Sequence, residues 1–295
     1  MPVRIPQSSC FRPIRWLPVL LVCMLAPFAA QARETLTWLL RDLPPSTIVA
    51  GPLQGQGVID RLMPLLMARM PDYDHVLIHV NRARSMQMLI EHPSSCDPTL
   101  LWTAERASYI AFSIPVYMLV SSGLIVRKSE LPRFAPYLDE GQVDLRALLN
   151  TSGLKVGVVA RRSYGTVTDQ ILADSPASAL SRHYADEAVG SLLQMERLGR
   201  LQALLGFRTE ARYQALQQGL DFEQLTFLPI KGNPPYQYAH IGCSDTPQGR
   251  KAIEIINREM RTLRETSLME FYAQWLEPAQ RTAYLRDAKA FFEGH

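Results

Sequence analysis

The sequence lacks the short motifs that mark the common catalytic and cofactor sites. Gly-x-Ser-x-Gly, His-Glu-x-x-His and Cys-x-x-Cys are all absent from the 295 residues, so the usual signatures of hydrolases, zinc proteases and thiol oxidoreductases are missing. The glycine-rich residues 51–57 complete neither a phosphate loop nor a dinucleotide-binding motif. The six histidines show no metal-ligand spacing. We therefore predict no enzymatic activity, no cofactor and no metal site.

Long apolar runs are also absent, except within the first 32 residues. Three arginines come first there, residues 16–28 are apolar, and Ala30-Gln31-Ala32 supplies small residues at a cleavage position. This order is typical of a secretory signal peptide, which we predict over residues 1–32. An uncleaved membrane anchor is the alternative, but residues 16–28 are fewer than the roughly 20 apolar residues that a membrane span needs.

The predicted mature chain has no net charge. The signal peptide contains three arginines and no acidic residue, so the 31 basic and 28 acidic residues of the full sequence become 28 of each. Such a composition gives no support to nucleic-acid binding. Residues 33–295 are enough for two modest domains, and we expect a monomer.

Only four cysteines occur, and two of them lie in the predicted signal peptide. Cys96 and Cys243 remain, and an oxidising compartment makes a disulfide bond between them the natural expectation. A metal site would need further closely spaced ligands, which are missing. The predicted bond requires the C-terminal part of the chain to fold back onto the N-terminal part.

A charged segment between two apolar runs contains the residues that are most informative about function. Residues 103–117, T-A-E-R-A-S-Y-I-A-F-S-I-P-V-Y, separate a predicted strand that ends at Trp102 from another over residues 118–126. A charged loop between two strands indicates a cleft. Arg106 offers a rigid fork of donors that fits a planar carboxylate. An ion pair at the surface with Glu105 or a neighbouring residue is the alternative interpretation.

The order T-x-E-R followed by F-S-x-P-x-Y resembles the signature of bacterial extracellular solute-binding proteins of family 3, the periplasmic receptors of polar amino-acid uptake systems. The resemblance implies that Arg106 holds the carboxylate of a ligand. Thr103 is a further candidate contact beside it, and Trp102 is a candidate to stack on an apolar part of the ligand. Ile114 stands where the family usually has an aspartate, outside the carboxylate contact. The implied fold is α/β and of the two-lobe type II, in which each lobe is a mixed sheet flanked by helices and the chain crosses the hinge twice.

The predicted strands and helices divide the mature chain into these two lobes. We predict the first lobe over residues 33–122 plus 242–295 and the second over residues 123–241. In open α/β sheets, ligands gather beyond the carboxyl ends of the strands. Asp42 follows a predicted strand and precedes Pro44-Pro45, so it is a candidate for the rim of the cleft or for the cap of a rigid turn.

The corresponding turn of the second lobe is basic. Arg161, Arg162, Ser163 and Tyr164 follow a buried strand predicted over residues 154–160, and Ser163 is a good N-cap for the next helix. Helix N-termini attract anions, and the resemblance places the ligand contacts of the second lobe here, usually with a Gly-Thr pair in place of the two arginines. Tyr164 is a candidate to stack on an apolar part of the ligand.

Charged residues elsewhere bear on the kind of ligand. In amino-acid receptors of family 3 an acidic residue pairs with the ammonium group, and the matching position falls at or beside Phe207. Glu210 lies in the following predicted helix, out of reach of the cleft unless the register shifts. A buried ammonium without a carboxylate is costly, so we expect a small anion rather than an ordinary α-amino acid. Arg82 and Arg84 lie in the first turn of another predicted helix, where cations oppose the dipole and either solvent or an anion must compensate them.

These expectations combine into a periplasmic solute-binding protein that captures a small carboxylate-bearing anion between its lobes by hinge closure. The expected partner is an inner-membrane ABC permease. A periplasmic sensor of the same fold is the first alternative, and an exported enzyme is the second.

The signal peptide can be tested on protein exported by a bacterial host. We expect the mature protein to begin at Arg33, because small residues at positions 30 and 32 direct cleavage there. Intact-mass measurement gives the N-terminus directly, and Ala32→Tyr should block the cleavage. A wild-type protein that keeps residues 1–32 and stays in the membrane fraction would indicate an anchor instead.

Overall fold

Strands and helices alternate through the computed structural model, which describes residue 1 and residues 33–184, 188–264 and 268–294. The predicted signal peptide, apart from Met1, lies outside the described residues. The strands are β1 (Glu34–Leu40), β2 (Tyr73–His79), β3 (Ser95–Leu101), β4 (Ile110–Phe112), β5 (Tyr117–Val120), β6 (Gly123–Arg127), β7 (Leu138–Asp139), β8 (Gln142–Val143), β9 (Val156–Val159), β10 (Leu180–His183), β11 (Ala203–Gly206), β12 (Leu225–Pro229) and β13 (Tyr236–Ser244). The helices are α1 (Val58–Ala68), α2 (Arg82–Glu91), α3 (Leu145–Thr151), α4 (Thr166–Ala173), α5 (Ala188–Arg197), α6 (Arg208–Gln217), α7 (Pro247–Leu263), α8 (Leu268–Ala273) and α9 (Pro278–Glu293). None of these described helices is long and apolar enough to cross a membrane.

The first sheet has the strand order β2-β1-β3-β13-β4, and β5 also pairs with β13. β1 runs parallel to β2 and β3, whereas β13 runs antiparallel to β3, β4 and β5. Trp38 of β1 is completely buried in a core to which α1, α7, α8 and α9 contribute. Leu39 points the other way, into a smaller core that includes Leu89 of α2. The sheet is therefore mixed and has helices on both faces.

The second sheet has the order β10-β9-β11-β6-β12. β9 runs parallel to β10 and β11, and β6 runs antiparallel to β11 and β12. Every residue of β9, V-G-V-V, is buried, as expected for a strand that is covered on both faces. Two mixed sheets with flanking helices confirm the predicted two-lobe α/β fold.

Helix α1 of the first lobe buries the apolar residues that recur at helical spacing in its sequence. Asp60 in its first turn accepts hydrogen bonds from the backbone N–H groups of Gly57 (3.0 Å) and Ile48 (2.9 Å), which ties the loop after β1 to the helix. Pro64 lies on the exposed face, where water can bond to the carbonyl that its missing N–H leaves free. The apolar residues at helical spacing face the core: Ile59, Leu62, Met63 and Leu66.

The chain crosses between the sheets once from β5 to β6 and once from β12 to β13. Residue 242, where the return to the first lobe was predicted, lies inside β13, which belongs to the first sheet from Tyr236 onward. Ser122 and Gln237 lie next to the two crossings, and both side chains donate to the backbone carbonyl of Tyr164, at 2.8 Å and 2.7 Å. Gly165 makes this approach possible, because a Cβ there would lie 1.9 Å from the amide nitrogen of Gln237.

The predicted disulfide bond between Cys96 and Cys243 is present. The two cysteines are direct partners in the pairing of β3 with β13, their Cα atoms are 4.0 Å apart, and neither is exposed. They are separated by 147 residues, a stretch that contains the whole second sheet. The bond therefore closes the first lobe around the insertion of the second.

Removal of the disulfide should weaken the fold without changing it. We expect a protein with Cys96→Ser and Cys243→Ser to lose up to about 5 kcal/mol of unfolding free energy, because the unfolded chain gains the entropy of a long open loop. Urea unfolding of the exported double variant beside the wild type measures the loss. Two free thiols in unreduced, denatured wild-type protein would contradict the bond.

Candidate ligand-binding cleft

Two adjoining cavities lie between the sheets, beyond the ends of β1 and β9. The larger has a volume of about 440 Å³, within the range of small-molecule sites, and the smaller has about 60 Å³. Both have walls from the two lobes, and Arg82, Arg162 and Glu210 border both. Most of the charged side chains of this cleft are arginines, and the partners of these arginines decide what the cleft can bind.

Arg106 lies at the wall of the smaller cavity. It begins a short 3₁₀ helix (Arg106–Ser108), and its backbone N–H donates to the hydroxyl of Thr103 at 3.2 Å. Its Nη1 donates to the carbonyl of Leu101 at 3.0 Å. Burial, together with the nearby charge of Arg41, lowers the pKa of Arg106. Within the described residues no carboxylate forms an ion pair with Arg106, so the alternative pair with Glu105 is not made.

Arg162 is neutralised by a carboxylate of its own lobe. Its Nη1 and Nη2 donate to Oε1 and Oε2 of Glu210 at 3.0 Å and 2.6 Å, and the two side chains are only 7% and 8% exposed. Burial would lower the pKa of Arg162, but the charge and hydrogen bonds of Glu210 raise it overall. The expectation that Glu210 stays out of the cleft is therefore wrong. Helix α6 begins directly after Phe207, so Glu210 is in its first turn and faces the cavities.

Arg41 forms a second internal ion pair, which the sequence did not suggest. Its Nε lies 2.8 Å from Oδ2 of Asp97, and its Nη2 donates to the carbonyl of Thr99 at 2.9 Å. Asp97 is fully buried and also accepts a hydrogen bond from Ser85 at 2.6 Å. Burial favours its neutral form, but the charge of Arg41 and three hydroxyl or N–H donors lower its pKa overall. β1 and β3 are neighbours, and only their pairing brings Arg41 and Asp97 together.

The turn after β9 differs from the prediction in its cap. The N-cap of α4 is Gly165, not Ser163. Asp169 closes the turn, because its carboxylate accepts hydrogen bonds from the hydroxyl of Ser163 and from the backbone N–H of Tyr164. Burial raises the pKa of Asp169 above its usual value. Ser163 borders the smaller cavity, but a hydroxyl has a single hydrogen to donate, and this one is used within the turn.

The two residues predicted to stack on a ligand do not line either cavity. Tyr164 is completely buried; its hydroxyl accepts a hydrogen bond from the N–H of Val159 at 2.8 Å, and its ring stacks on Phe207. Trp102 lies outside the cleft and is 48% exposed. Thr103 supports Arg106 through its hydroxyl and borders neither cavity. Aromatic residues near a turn serve a core or a ligand equally well by type, so the sequence could not distinguish these roles.

The remaining predicted residues, Asp42 and Arg161, line the larger cavity. Arg161 is exposed and adopts a positive φ of 57°. Arg162 borders both cavities whereas Arg161 borders only the larger, so the two adjacent arginines occupy different positions in the cleft.

Arg82 is a cleft residue that the predicted site did not include. It is the first residue of α2 and borders both cavities. Its position in the first turn of a helix without an acidic residue was the available signal. Sequence alone could not show that this helix begins at the cleft.

Helix α6 also holds the two lobes together directly. Nη2 of Arg208 lies 2.7 Å from Oε1 of Glu277, and Nη1 of Arg212 donates to the carbonyl of Trp275 at 3.3 Å. The ring of Tyr213 packs edge-on against Trp275. The helix that brings Glu210 to the cleft thus carries contacts that any change in the angle between the lobes must alter.

No family model and no curated protein matches this chain, but its fold is similar to that of solved structures. One is a substrate-binding protein of an ABC uptake transporter from Streptococcus pneumoniae with bound histidine, with 14% identity over 83% of this chain and 92% of that chain and a TM-score of 0.62. Another is a histidine kinase sensor domain with similarity to periplasmic binding proteins, with 14% identity over 83% and 96% and a TM-score of 0.65. A third is the VFT2 domain of BvgS from Bordetella pertussis, with 16% identity over 84% and 95% and a TM-score of 0.60.

These similarities show the fold of the periplasmic binding proteins. The resemblance seen in the sequence is confirmed at this level, since amino-acid-binding periplasmic proteins are among the similar structures. The similar structures include both a transport protein and a sensor domain.

The buried pair of Arg162 and Glu210 can be tested by unfolding. Glu210→Gln should lower the free energy of unfolding by about 3 to 5 kcal/mol, because Arg162 keeps its charge without a partner. Replacing both residues with methionine should cost much less, since both desolvated charges are then removed. Urea unfolding measures these values, with Glu223→Gln at an exposed position of the same lobe as the control. Equal stabilities of Glu210→Gln and the wild type would show that the pair contributes nothing in solution.

Proposed function

We propose that this protein is a divergent solute-binding protein of the family 3 type, exported to the periplasm, that captures a small carboxylate-bearing anion between its lobes. The observation that carries the proposal is the guanidinium of Arg106. It is buried at the wall of an interlobe cavity, only one of its nitrogens is engaged by a backbone carbonyl, and no described carboxylate pairs with it. A planar carboxylate matches the remaining donors of such a fork.

The position of the site between the lobes suggests how binding acts on the protein. A ligand held by Arg106 of the first lobe lies next to Ser163 and Thr209 of the second, which border the same cavity. Contacts to both lobes stabilise one angle between them, and the two crossings at the hinge let that angle change. A ligand shifts this equilibrium only as far as it binds one arrangement better than the other.

The internal ion pairs argue against an ordinary α-amino acid as the ligand. The ammonium group of an α-amino acid bound to Arg106 would need a carboxylate at the smaller cavity. Glu210 is the described acidic residue that borders it, whereas Asp42 borders the larger cavity. Both oxygens of Glu210 already accept hydrogen bonds from Arg162. An ammonium would have to compete with that bidentate pair and would also face Arg82, so a carboxylate without an amino group suits the cleft better.

Delivery of the solute to an ABC permease of the inner membrane is the role we favour, with sensing as the second candidate. The similar structures include a substrate-binding protein of an uptake transporter, which favours transport, and a histidine kinase sensor domain, which favours sensing. We propose binding without turnover in both cases. A pull-down against membrane proteins distinguishes the partners, because a permease and a sensor kinase differ in mass and composition.

The ligand class can be established without knowing the ligand in advance. Native mass spectrometry of freshly purified protein reveals a retained solute by its added mass. A thermal-shift screen of small carboxylates and amino acids follows, since a ligand at 100 times its Kd stabilises by about 2.7 kcal/mol. For a chain of this size that is about 5 to 11 °C in the unfolding midpoint.

Arg106→Ala should weaken the binding of the best carboxylate from that screen by about 2 to 5 kcal/mol, because it removes the buried donor of a charge pair. Isothermal titration calorimetry measures the change. Arg69→Ala, an exposed arginine of the first lobe that borders neither cavity, is the matched control. Unchanged affinity in Arg106→Ala, or micromolar binding of glutamine or histidine by the wild type, would overturn the proposed ligand class.

A further inference from the structure

Three arginines at the cleft have no carboxylate partner in the part of the chain that the structure describes. Arg161 is exposed to solvent, whereas the other two, Arg82 and Arg106, are half-buried and buried. The other arginines with buried guanidinium groups at these walls are neutralised: Arg41 by Asp97 and Arg162 by Glu210. An ion pair of this kind offsets the free-energy cost of removing the charge from water. An arginine without such a partner bears that cost until an anion binds to it.

Arg82 is the less expected of the two. Its side chain makes neither a hydrogen bond nor an ion pair with any described residue, although it borders both cavities. It lies at the positive end of the dipole of α2, and the first turn of that helix contains no acidic residue. Burial and the charges of Arg41, Arg162 and Arg106 lower its pKa well below the usual value, and the charge of Glu210 offsets them only in part.

Arg106 faces the same smaller cavity as Arg82. Burial and the charge of Arg41 lower the pKa of Arg106, and the charges of Tyr109, Asp97 and Asp169 offset this only in part. Asp169 is held by Ser163 and by the N–H of Tyr164, however, and forms no ion pair with Arg106. Two guanidinium groups that repel each other therefore border one small cavity, and a single carboxylate bound between them would bring one negative charge to two positive ones.

We propose that the ligand is a dicarboxylate, with one carboxylate held by Arg106 and the other by Arg82. This inference rests on the proposed function and specifies its ligand. The second carboxylate has room away from the first, because Arg82 borders the larger cavity as well whereas Arg106 borders only the smaller. The larger cavity, of about 440 Å³, gives room for the carbon chain between them. A compact oxyanion such as phosphate could contact both arginines only within the smaller cavity and would leave the larger one unfilled.

The test compares acids of equal chain length with one and two carboxylates: butanoate with succinate, pentanoate with glutarate, and hexanoate with adipate. Calorimetry on the wild type should show one dicarboxylate binding at least about tenfold more tightly than its monocarboxylate, the effect of one added charge-assisted contact. Arg82→Gln should remove that advantage and leave the monocarboxylate affinity within about twofold. Arg106→Gln should weaken both acids of the pair.

Arg84→Gln is the matched control, because Arg84 lies in the same turn of α2 but is exposed and bonds to Gln87. It should leave every affinity unchanged. Arg82→Gln should also unfold at the same urea concentration as the wild type or a higher one, since the substitution removes a repelled cation. A loss of stability in that variant would mean that Arg82 has a structural partner in the protein, and would overturn the assignment.

The outcomes separate this inference from the proposed function. If monocarboxylates bind as tightly as dicarboxylates, or if Arg82→Gln binds both acids as the wild type does, the dicarboxylate is wrong while the anion site at Arg106 stands. Tighter binding of inorganic phosphate than of any dicarboxylate would also overturn it. If no acid binds and an amino acid does, the proposed function itself fails.

Discussion

The antiparallel pairing of β13 with its neighbours is the constraint on which the rest of the structure depends. β13 returns from the second lobe and pairs with β3, β4 and β5. The segment that carries Arg106 connects β3 to β4, so both of its ends are anchored on this one strand. The disulfide between Cys96 and Cys243 joins β13 to β3 covalently, and Gln237 near its start binds the loop of the second lobe. One strand thus sets the position of the ligand-binding loop, the hinge and the closure of the first lobe.

Electrostatics inside the cleft follow from which arginines the fold neutralises. Asp97 pairs with Arg41 and Glu210 pairs with Arg162, so these two arginines are engaged in ion pairs within the protein and are not available to a ligand. Among the described residues, the same arrangement leaves Arg82 and Arg106 without a carboxylate partner, which makes the cleft cationic even though the predicted mature chain has equal numbers of acidic and basic residues. Local charge at a site is therefore independent of overall composition, because close contacts dominate in a medium of low dielectric constant.

Much of the fold could be predicted because the information is local or leaves few choices. The helical spacing in α1 and the apolar run of β9 specify their own secondary structure, and the two cysteines outside the predicted signal peptide could pair only with each other. Around Arg106 the order of residues was specific enough to indicate a wall of a cleft. Within the same turn of the second lobe, by contrast, residue type alone could not separate Arg162 at the cavity from Tyr164 in the core. The difference depends on the direction in which each side chain leaves a turn whose cap is Gly165.

The sequence by itself determined the alternation of strands and helices, the two-lobe fold class and the disulfide partners, since these follow from periodicity, from a specific motif and from the count of cysteines. Tertiary structure alone decided which charges meet. Glu210 was expected outside the cleft and Arg82 at a solvated or anion-compensated helix start, yet α6 and α2 begin at the same cavities from opposite lobes. Ion pairing falls off over a few ångströms, and distances between elements far apart in the chain are set by the packing of the two sheets.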